Sequence, residues 1–252
     1  MTNEAAKAER ELVQALATQV RDVGLAIGLP FIAASADIGS PEPMRGTDGR
    51  PFAETLFHWI DPGLQYWKDR SFALRSPFVF ASRYSAEPFY LYDGKFATWR
   101  PAPQLESIEV VQGPDSLTVG TSIVAPAHLP GGVIGAVVWA SPEVFDIRPV
   151  FAREAANLHA LALKLLGAYN DLGSGPLSDA ARLTRREIQC LKWAAAGKTD
   201  AEIGQIVDIS TPTVRFHMRN AAEKLAVTGR SQAVHRAGVL GYIGERKPPR
   251  LG

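Results

Sequence analysis

The sequence predicts an α+β protein, with an N-terminal α/β/α sandwich around an antiparallel sheet and a C-terminal domain of four short helices. Two β-rich runs, residues 117–125 and 133–140, are separated only by a turn at 126–132, which favours antiparallel pairing of the two strands. Helical patterns occur before and after these strands, so we expect helices to cover the sheet. The last quarter of the chain contains closely spaced helix start signals and no β-rich run.

The composition and length indicate two domains of ordinary size. The chain has 252 residues, of which 46% are apolar and 21% charged, as in soluble globular proteins. A Gly- and Pro-containing break at 173–176 marks the boundary, so we expect one domain over 1–172, a linker over 173–180 and a second domain over 181–252. No apolar run approaches the ~20 residues that span a bilayer, and the N-terminus lacks a secretory pattern. We therefore expect a cytoplasmic protein without a membrane partner.

The N-terminal domain is predicted to contain helix, strand, helices, strands and a long closing helix. Apolar residues at three-to-four spacing indicate the helices, and short runs rich in aromatic and β-branched residues indicate the strands. The predicted helices cover residues 4–27, about 52–60, about 62–71 and 143 to about 172, and the predicted strands cover 31–34, 79–84, 89–92, 117–125 and 133–140.

The closing helix carries more apolar residues than one buried face requires. Its apolar stripe consists of Phe151, Ala155, Leu158, Leu161, Leu165 and Ala168. Leu163 and Leu166 widen that stripe. One side of the helix has to cover the sheet, and the surplus favours contact with a second subunit, so we expect a homodimer.

The C-terminal domain begins its helices with recognisable capping sequences. Thr184 with Glu187 and Thr199 with Glu202 match the capping box, and Ser210 precedes a proline in the first helical turn. Residues 178–252 contain 13 Lys and Arg against 7 Asp and Glu, a net charge of +6, whereas the rest of the chain has a net charge of −5. Short capped helices with a basic third helix predict a helix-turn-helix domain that binds double-stranded DNA.

The third helix of this domain supplies the candidate DNA contacts. Arginine makes paired hydrogen bonds to guanine, and residues in the first half of a recognition helix lie deepest in the major groove. The alternative is an ordinary helical bundle with a solvated basic face. The candidates for base edges are Thr213, Arg215, Met218 and Arg219, and the candidates for phosphate are Lys198, Thr211 and Lys224.

The same segment resembles the LuxR-type helix-turn-helix over roughly 60 residues. The resemblance implies a transcriptional regulator that binds DNA as a dimer. The matching positions are Leu183, Thr184, Arg186, Glu187, Gly197, Lys198, Glu202, Ile203, Ser210, Thr213, Val214, His217, Lys224, Leu225, Arg230 and Ala233.

The N-terminal domain resembles, over residues 56–141, the autoinducer-binding domain of LuxR- and TraR-type quorum-sensing regulators. The best marker is the segment 116–141, with Gly120 at that family's characteristic glycine. In the family, a Trp, a Tyr, an Asp and a second Trp hold the head group of an acyl-homoserine lactone. The corresponding residues of this chain are Gly63, Trp67, Ser76 and Leu91. The resemblance implies a small-molecule effector, either an acyl-homoserine lactone or a different apolar or aromatic compound.

The density of aromatic residues, taken together, independently favours an apolar binding pocket, although a plain core is the favoured explanation for any one of them alone. The candidate effector-binding residues are Phe57, Trp59, Tyr66, Trp67, Ser76, Tyr84, Tyr90, Trp99 and Ser122. The alternative function is a regulator whose N-terminal domain mediates protein–protein interaction without a small ligand.

Enzyme chemistry is not indicated. The sequence contains no nucleophile–base constellation, no metal-ligand spacing and no phosphate loop, and its five histidines are scattered. Cys190 is the only cysteine, which excludes an internal disulfide. We therefore expect a protein that is not an enzyme and that needs no cofactor or metal.

Overall fold

The structure is a computed structural model, and it describes residues 3–60, 75–110, 119–172 and 182–244. The chain divides into two compact units, which consist of Met1–Leu129 with Val133–Gly175 and of Pro130–Gly132 with Pro176–Gly252. The predicted helix at 62–71 and the predicted linker at 173–180 lie outside the described residues.

The first unit is built on an antiparallel sheet. Within the described residues the sheet has five strands in the order β1-β5-β4-β2-β3, and every neighbouring pair is antiparallel. The strands are β1 (Phe31–Ser35), β2 (Phe89–Tyr92), β3 (Lys95–Ala97), β4 (Thr121–His128) and β5 (Ile134–Ser141). In chain order the helices are α1 (Asn3–Ala26), α2 (Phe52–Thr55), α3 (Pro77–Tyr84), α4 (Pro103–Glu106), α5 (Arg148–Leu172), α6 (Arg185–Ala195), α7 (Asp200–Val207), α8 (Thr211–Lys224) and α9 (Arg230–Val239).

The two long helices α1 and α5 cover one face of the sheet, which we call the α1 face. Ile123 and Val137 of the central strands are fully buried there, together with Leu158 and Leu165 of α5. Trp139 is also fully buried, and its indole Nε1 donates a hydrogen bond to the Val20 carbonyl of α1 at 2.9 Å. That bond gives the indole the polar partner that a buried tryptophan needs.

The opposite face, which we call the α3 face, is covered by α3 and α4. Val124, Val138 and Leu91 point into this layer and pack with Phe78 of α3 and Leu105 of α4. Alternate residues of one strand therefore belong to different cores, as the two-residue period of a strand requires. Helices on both faces of an antiparallel sheet confirm the predicted α/β/α sandwich.

Residues 79–84 are helical, so the predicted strand there is wrong. Pro77 occupies the first turn of α3, and the side chain of Ser76 accepts a hydrogen bond from the Val79 N–H at 3.5 Å. The aromatic run had suggested a strand through β-propensity, which is a weak preference that packing overrides. Here helix formation buries Phe78 and Ala81 against the sheet.

Two predicted helices are shorter than expected because backbone N–H groups find other partners. The helix at 52–60 ends at Thr55, and the His58 carbonyl instead accepts a hydrogen bond from the Ile32 N–H of β1 at 2.9 Å. The closing helix begins at Arg148 rather than at residue 143. The Phe145 N–H donates to Thr121 Oγ1 at 3.2 Å, so this group has a partner outside the helix.

Strand β4 continues to His128, past the start of the predicted turn at Pro126. Proline lacks the N–H that a central strand needs. However, β2 pairs with β4 only as far as Val124, so on that side Pro126 has no ladder bond to lose. Positions 117 and 118 of the predicted strand lie outside the described residues.

The second unit contains α6 to α9 in residues 182–244. Cys190 and Leu191 of α6, Ile203 of α7, and Val214 and Ala221 of α8 are fully buried in one core. Four helices at these positions match the prediction from the capping sequences.

Candidate functional site

Helices α6 and α7 begin with complete capping boxes. Thr184 Oγ1 accepts a hydrogen bond from the Glu187 N–H at 3.3 Å, and Glu187 Oε2 accepts one from the Thr184 N–H at 2.7 Å. Thr199 and Glu202 make the same reciprocal pair at 3.3 and 2.8 Å. The hydrogen bond from the Thr199 N–H, followed by those from the Thr199 hydroxyl and the Lys198 ammonium, lowers the pKa of Glu202 to about 2. Both helix starts are therefore held by charge-assisted bonds.

The turn between α7 and α8 depends on Gly204. A Cβ added to this glycine would lie 2.7 Å from the Ile209 carbonyl oxygen, so the chain can fold back only where that atom is missing. Ser210 then caps α8, because its Oγ accepts a hydrogen bond from the Thr213 N–H at 3.3 Å. The result is two short helices joined by a tight turn, which is the geometry of a helix-turn-helix.

Helix α8 buries one face and exposes the opposite face to solvent. Val214, Met218 and Ala221 point into the core of the unit. Met218 is only 7% exposed, and a side chain packed in this core cannot reach a base edge. The structure therefore contradicts the prediction that Met218 contacts bases.

The solvent face of α8 presents two arginines and a phenylalanine. The side chains of Arg215 and Arg219 are 72% and 69% exposed. Phe216 is 50% exposed, and the Arg219 guanidinium lies 5.9 Å from its ring centroid. Sequence reasoning missed Phe216, although its helical spacing from Val214 and Met218 already excluded it from their buried face.

Asp200, the first residue of α7, lies beside this face and contacts two arginines. Its Oδ1 accepts a hydrogen bond from Nη1 of Arg230, and its Oδ2 lies 3.4 Å from Nε of Arg215. Nη2 of Arg230 also donates to the Lys198 carbonyl. Neither Asp200 nor Arg230 was a candidate site residue in the sequence, because their pairing joins positions 30 residues apart.

The candidate phosphate contacts have different environments. Lys198 is half-buried, and its Nζ lies 3.1 Å from Glu202 Oε1. Thr211 and Thr213, in the first turn of α8, are half-buried, and the Thr213 hydroxyl lies 2.7 Å from that of Ser210. The Lys224 side chain is 38% exposed, and its Nζ donates to both carboxylate oxygens of Glu187 at 2.8 and 2.9 Å, so this candidate takes part in an ion pair within the protein.

In the first unit, Ser122 is the candidate whose position best suits a ligand. It pairs with Leu91 of β2 and Ala140 of β5, so its side chain points into the α3 face. It is fully buried, and its Oγ has no hydrogen-bond partner among the described residues. Trp59 is buried in the same layer, and Ser76 is buried at the start of α3.

The remaining described candidates do not converge on Ser122. Tyr90 lies on the α1 face, where its ring centroid is 4.8 Å from that of Phe151, and Trp99 lies 5.9 Å from the same ring. Phe57 is buried in the α1-face core. Tyr84 is 60% exposed. These four candidates therefore do not share the layer of Ser122: Tyr90 points to the other face of the sheet, as strand alternation requires, and Phe57, Tyr84 and Trp99 lie elsewhere in the unit.

Tyr66 and Trp67, the two other candidates, lie outside the described residues, as does Gly63. Leu91, which takes the place of the family's second Trp, is buried on the α3 face.

Across the described ranges, no helix is long and apolar enough to cross a membrane.

A tight helix–turn–helix with a capped, basic second helix defines a class of proteins, the helix-turn-helix proteins. The family model described as bacterial regulatory proteins, luxR family, matches residues 181–237. The chain is 31% identical over 193 residues to the transcriptional activator protein PhzR of Pseudomonas fluorescens, covering 74% of this chain and 72% of PhzR. The chain therefore belongs to the LuxR family of bacterial regulatory proteins.

Other similarities cover less of the molecule or are more distant. The chain is 52% identical over 63 residues to the transcriptional activator protein VanR of Vibrio anguillarum, which is 25% of this chain and 26% of VanR. The match to VanR thus spans only about a quarter of that relative. The crystal structure of SdiA from Escherichia coli aligns with a TM-score of 0.41 and 22% identity, covering 71% of this chain and 73% of SdiA.

Proposed function

We propose that this protein is a DNA-binding transcriptional regulator that acts as a homodimer in the cytoplasm and responds to a small, largely apolar effector. The observation that carries the proposal is the solvent face of α8, where the exposed side chains of Arg215 and Arg219 project from a helix that Ser210 caps and that a tight turn joins to α7. Family membership supports the same conclusion. Lys198 and Thr211 remain candidate phosphate contacts at the edges of this face.

The DNA-binding role is tested with two substitutions at Arg219. Arg219→Ala should cost ~1–3 kcal/mol on the preferred duplex and relax the preference at one base pair, because a paired hydrogen bond to a base is lost. Arg219→Lys is the matched control, since it keeps the charge and loses only the fork of donors. It should lose sequence preference while largely keeping affinity for scrambled DNA. Fluorescence anisotropy with preferred and scrambled duplexes decides, and equal losses on both would contradict base contact by Arg219.

We place the effector in the α3 face of the first unit, with Ser122 as its polar contact. Burying a hydroxyl without a partner costs about 1–3 kcal/mol, so an Oγ in an apolar layer that finds no partner among the described residues is well explained by a ligand that bonds to it. Trp59 is buried in the same layer, Ser76 is buried at the start of α3, and Trp67 is a candidate by resemblance. The effector is an acyl-homoserine lactone or a different apolar or aromatic compound. Ser76, where the family carries a carboxylate, gives a weaker, neutral acceptor for a lactone amide.

The effector site is tested with Ser122→Ala. We expect its affinity for the compound found by mass spectrometry of an organic extract of the purified protein, or for a lactone series, to fall about fivefold, which is ~1 kcal/mol. The ligand-free variant should be no less stable than wild type, because the Ser122 hydroxyl bonds to none of the described residues. Ser82→Ala is the matched control, since Ser82 is also buried but its Oγ donates to the Phe78 carbonyl at 2.8 Å. An extract without any compound, and no thermal stabilisation by lactones, would favour an N-terminal unit that binds only protein.

A further inference from the structure

Asp200 is an acidic residue beside the helix face that the proposed function assigns to DNA. Its side chain is 26% exposed and lies within contact distance of Arg215 of α8. A carboxylate near the phosphate backbone weakens binding through like-charge repulsion. Helix capping does not explain it, because Thr199 and Glu202 already complete the capping box of α7.

The carboxylate of Asp200 is itself held in place from two directions. Its Oδ1 accepts from Nη1 of Arg230, while the other guanidinium nitrogen, Nη2, donates to the Lys198 carbonyl. Arg230 therefore donates hydrogen bonds both to the side chain of Asp200 and to the backbone of Lys198, just before α7. This arrangement leaves the second oxygen, Oδ2, directed at Arg215 at 3.4 Å.

The ion pair between Arg215 and Asp200 is formed by Nε of the guanidinium and Oδ2 of the carboxylate. The Arg215 side chain is 72% exposed, and within the described residues neither of its Nη groups donates a hydrogen bond. Paired donors from an arginine match the O6 and N7 acceptors of guanine. An arginine that is already oriented loses less conformational freedom when it binds.

Arg219 on the same helix contacts only residues of α8 itself within the described part of the chain. Its Nε lies 3.9 Å from Glu223 Oε1, with both side chains 69% exposed, and its guanidinium lies 5.9 Å from the Phe216 ring centroid. An exposed ion pair of this kind holds a side chain weakly. The solvent face of α8 therefore carries one arginine that contacts the neighbouring helix α7 and one whose contacts lie within α8, four residues apart.

We propose that Asp200 is a positioning residue for Arg215 and that it makes the Arg215 contact selective for guanine. The proposal rests on the proposed DNA-binding function. Asp200 lowers overall attraction to phosphate and raises discrimination between bases, because it fixes the direction of the Arg215 donors before DNA arrives.

The test uses full-length wild type, Asp200→Asn, Arg215→Ala and the double variant. A preferred duplex is selected from a random library with wild type, and affinities are then measured for that duplex with each G·C pair replaced in turn by A·T. Arg215→Ala should abolish the penalty for replacing one G·C pair. Asp200→Asn should reduce the penalty at that same position about fivefold, and it should bind scrambled DNA at least as tightly as wild type because a negative charge is lost.

The double variant and a matched control separate positioning from a structural role. In the Arg215→Ala background, Asp200→Asn should have no further effect on the preference at this position. Glu223→Gln removes the corresponding carboxylate beside Arg219. At the base pair that Arg219 contacts, this variant should change the loss of affinity on base-pair replacement by less than twofold. If Asp200→Asn unfolds the domain, Asp200→Ser replaces it, since serine is tolerated in the first turn of a helix.

Two outcomes would overturn the proposal, and a third would overturn the proposed DNA-binding function on which it rests. An unchanged guanine penalty in a folded Asp200 variant would show that the residue does not position Arg215. So would a loss of preference that is equal with and without Arg215. If wild type itself binds preferred and scrambled duplexes equally, the proposed sequence-specific DNA-binding function fails instead.

Discussion

At the scale of single residues, Lys224 is a predicted phosphate contact that forms an ion pair with Glu187 within the protein. Glu187 is nearly buried, with its side chain only 3% exposed, and both of its oxygens accept from Lys224 Nζ. Burial opposes the ionised form of this carboxyl. Its pKa nevertheless lies below the ordinary value, because the hydrogen bonds from Lys224 and Thr184 outweigh that burial. The pair joins the start of α6 to the end of α8.

We predict that Lys224→Met lowers the free energy of unfolding by ~1–3 kcal/mol, because it leaves a buried carboxylate with fewer bonds. Chemical denaturation of the full chain at pH 7 measures the change. Lys192→Met, at an exposed position of α6, is the matched control and should stay within about 0.5 kcal/mol of wild type. Equal unfolding midpoints for the two variants would show that the Glu187–Lys224 pair adds nothing.

At the scale of elements, helix starts were the features best predicted from the sequence. Each capping box involves residues three positions apart, so its geometry is decided locally. It was harder to predict from the sequence whether a segment rich in aromatic residues forms a strand or a helix, as residues 79–84 illustrate. The same side chains suit either element, and the choice depends on the layer against which Phe78 packs.

The capping box of α7 predicts a pH dependence that can be isolated by difference. The pKa of Glu202 lies at about 2, below its ordinary value of 4.5, so its ionised form stabilises the folded state. That stabilisation is complete above pH ~4.5 and is lost as the pH falls towards 2. We predict that wild type unfolds at a higher temperature than Glu202→Gln at pH 7 and that this difference shrinks between pH 4.5 and 2.

Thermal unfolding followed by circular dichroism provides the measurement for this capping box. The variant Thr199→Val lacks the hydroxyl bond to Glu202 but keeps the bond from the backbone N–H. In the Thr199→Val background, Glu202→Gln should therefore still lower the unfolding temperature more at pH 7 than at pH 2.5, but by less than it does in wild type. A difference between wild type and Glu202→Gln that is the same at pH 2.5 and pH 7 would argue against this account.

At the scale of the whole molecule, the outer surface of the α1 and α5 layer supports the proposed homodimer. α5 buries Phe151, Leu158 and Leu165, as the sequence predicted, while Leu163 remains 46% exposed. Leu12 of α1 is 53% exposed. Leu163 and Leu12 are therefore the residues of this layer at which we test a contact with a second subunit.

We predict that Leu163→Glu shifts the full-length protein from dimer to monomer at micromolar concentration, because a charge in an apolar interface has to be desolvated. Light scattering coupled to size-exclusion chromatography measures the mass. Val144→Glu changes another exposed apolar residue, 62% exposed and outside the helices, and should leave the mass unchanged. A monomeric wild type, or a dimeric Leu163→Glu, would count against this interface.

The sequence by itself determined the class of fold, the four C-terminal helices and the basic third helix, since capping, periodicity and charge depend on residues close together in the chain. Only the tertiary structure decided which side chains share a surface. It placed Ser122 and Tyr90 on opposite faces of one sheet, and it buried Met218. It also brought Asp200 to Arg215. These outcomes depend on strand register and helix packing, which bring together groups that no local pattern connects.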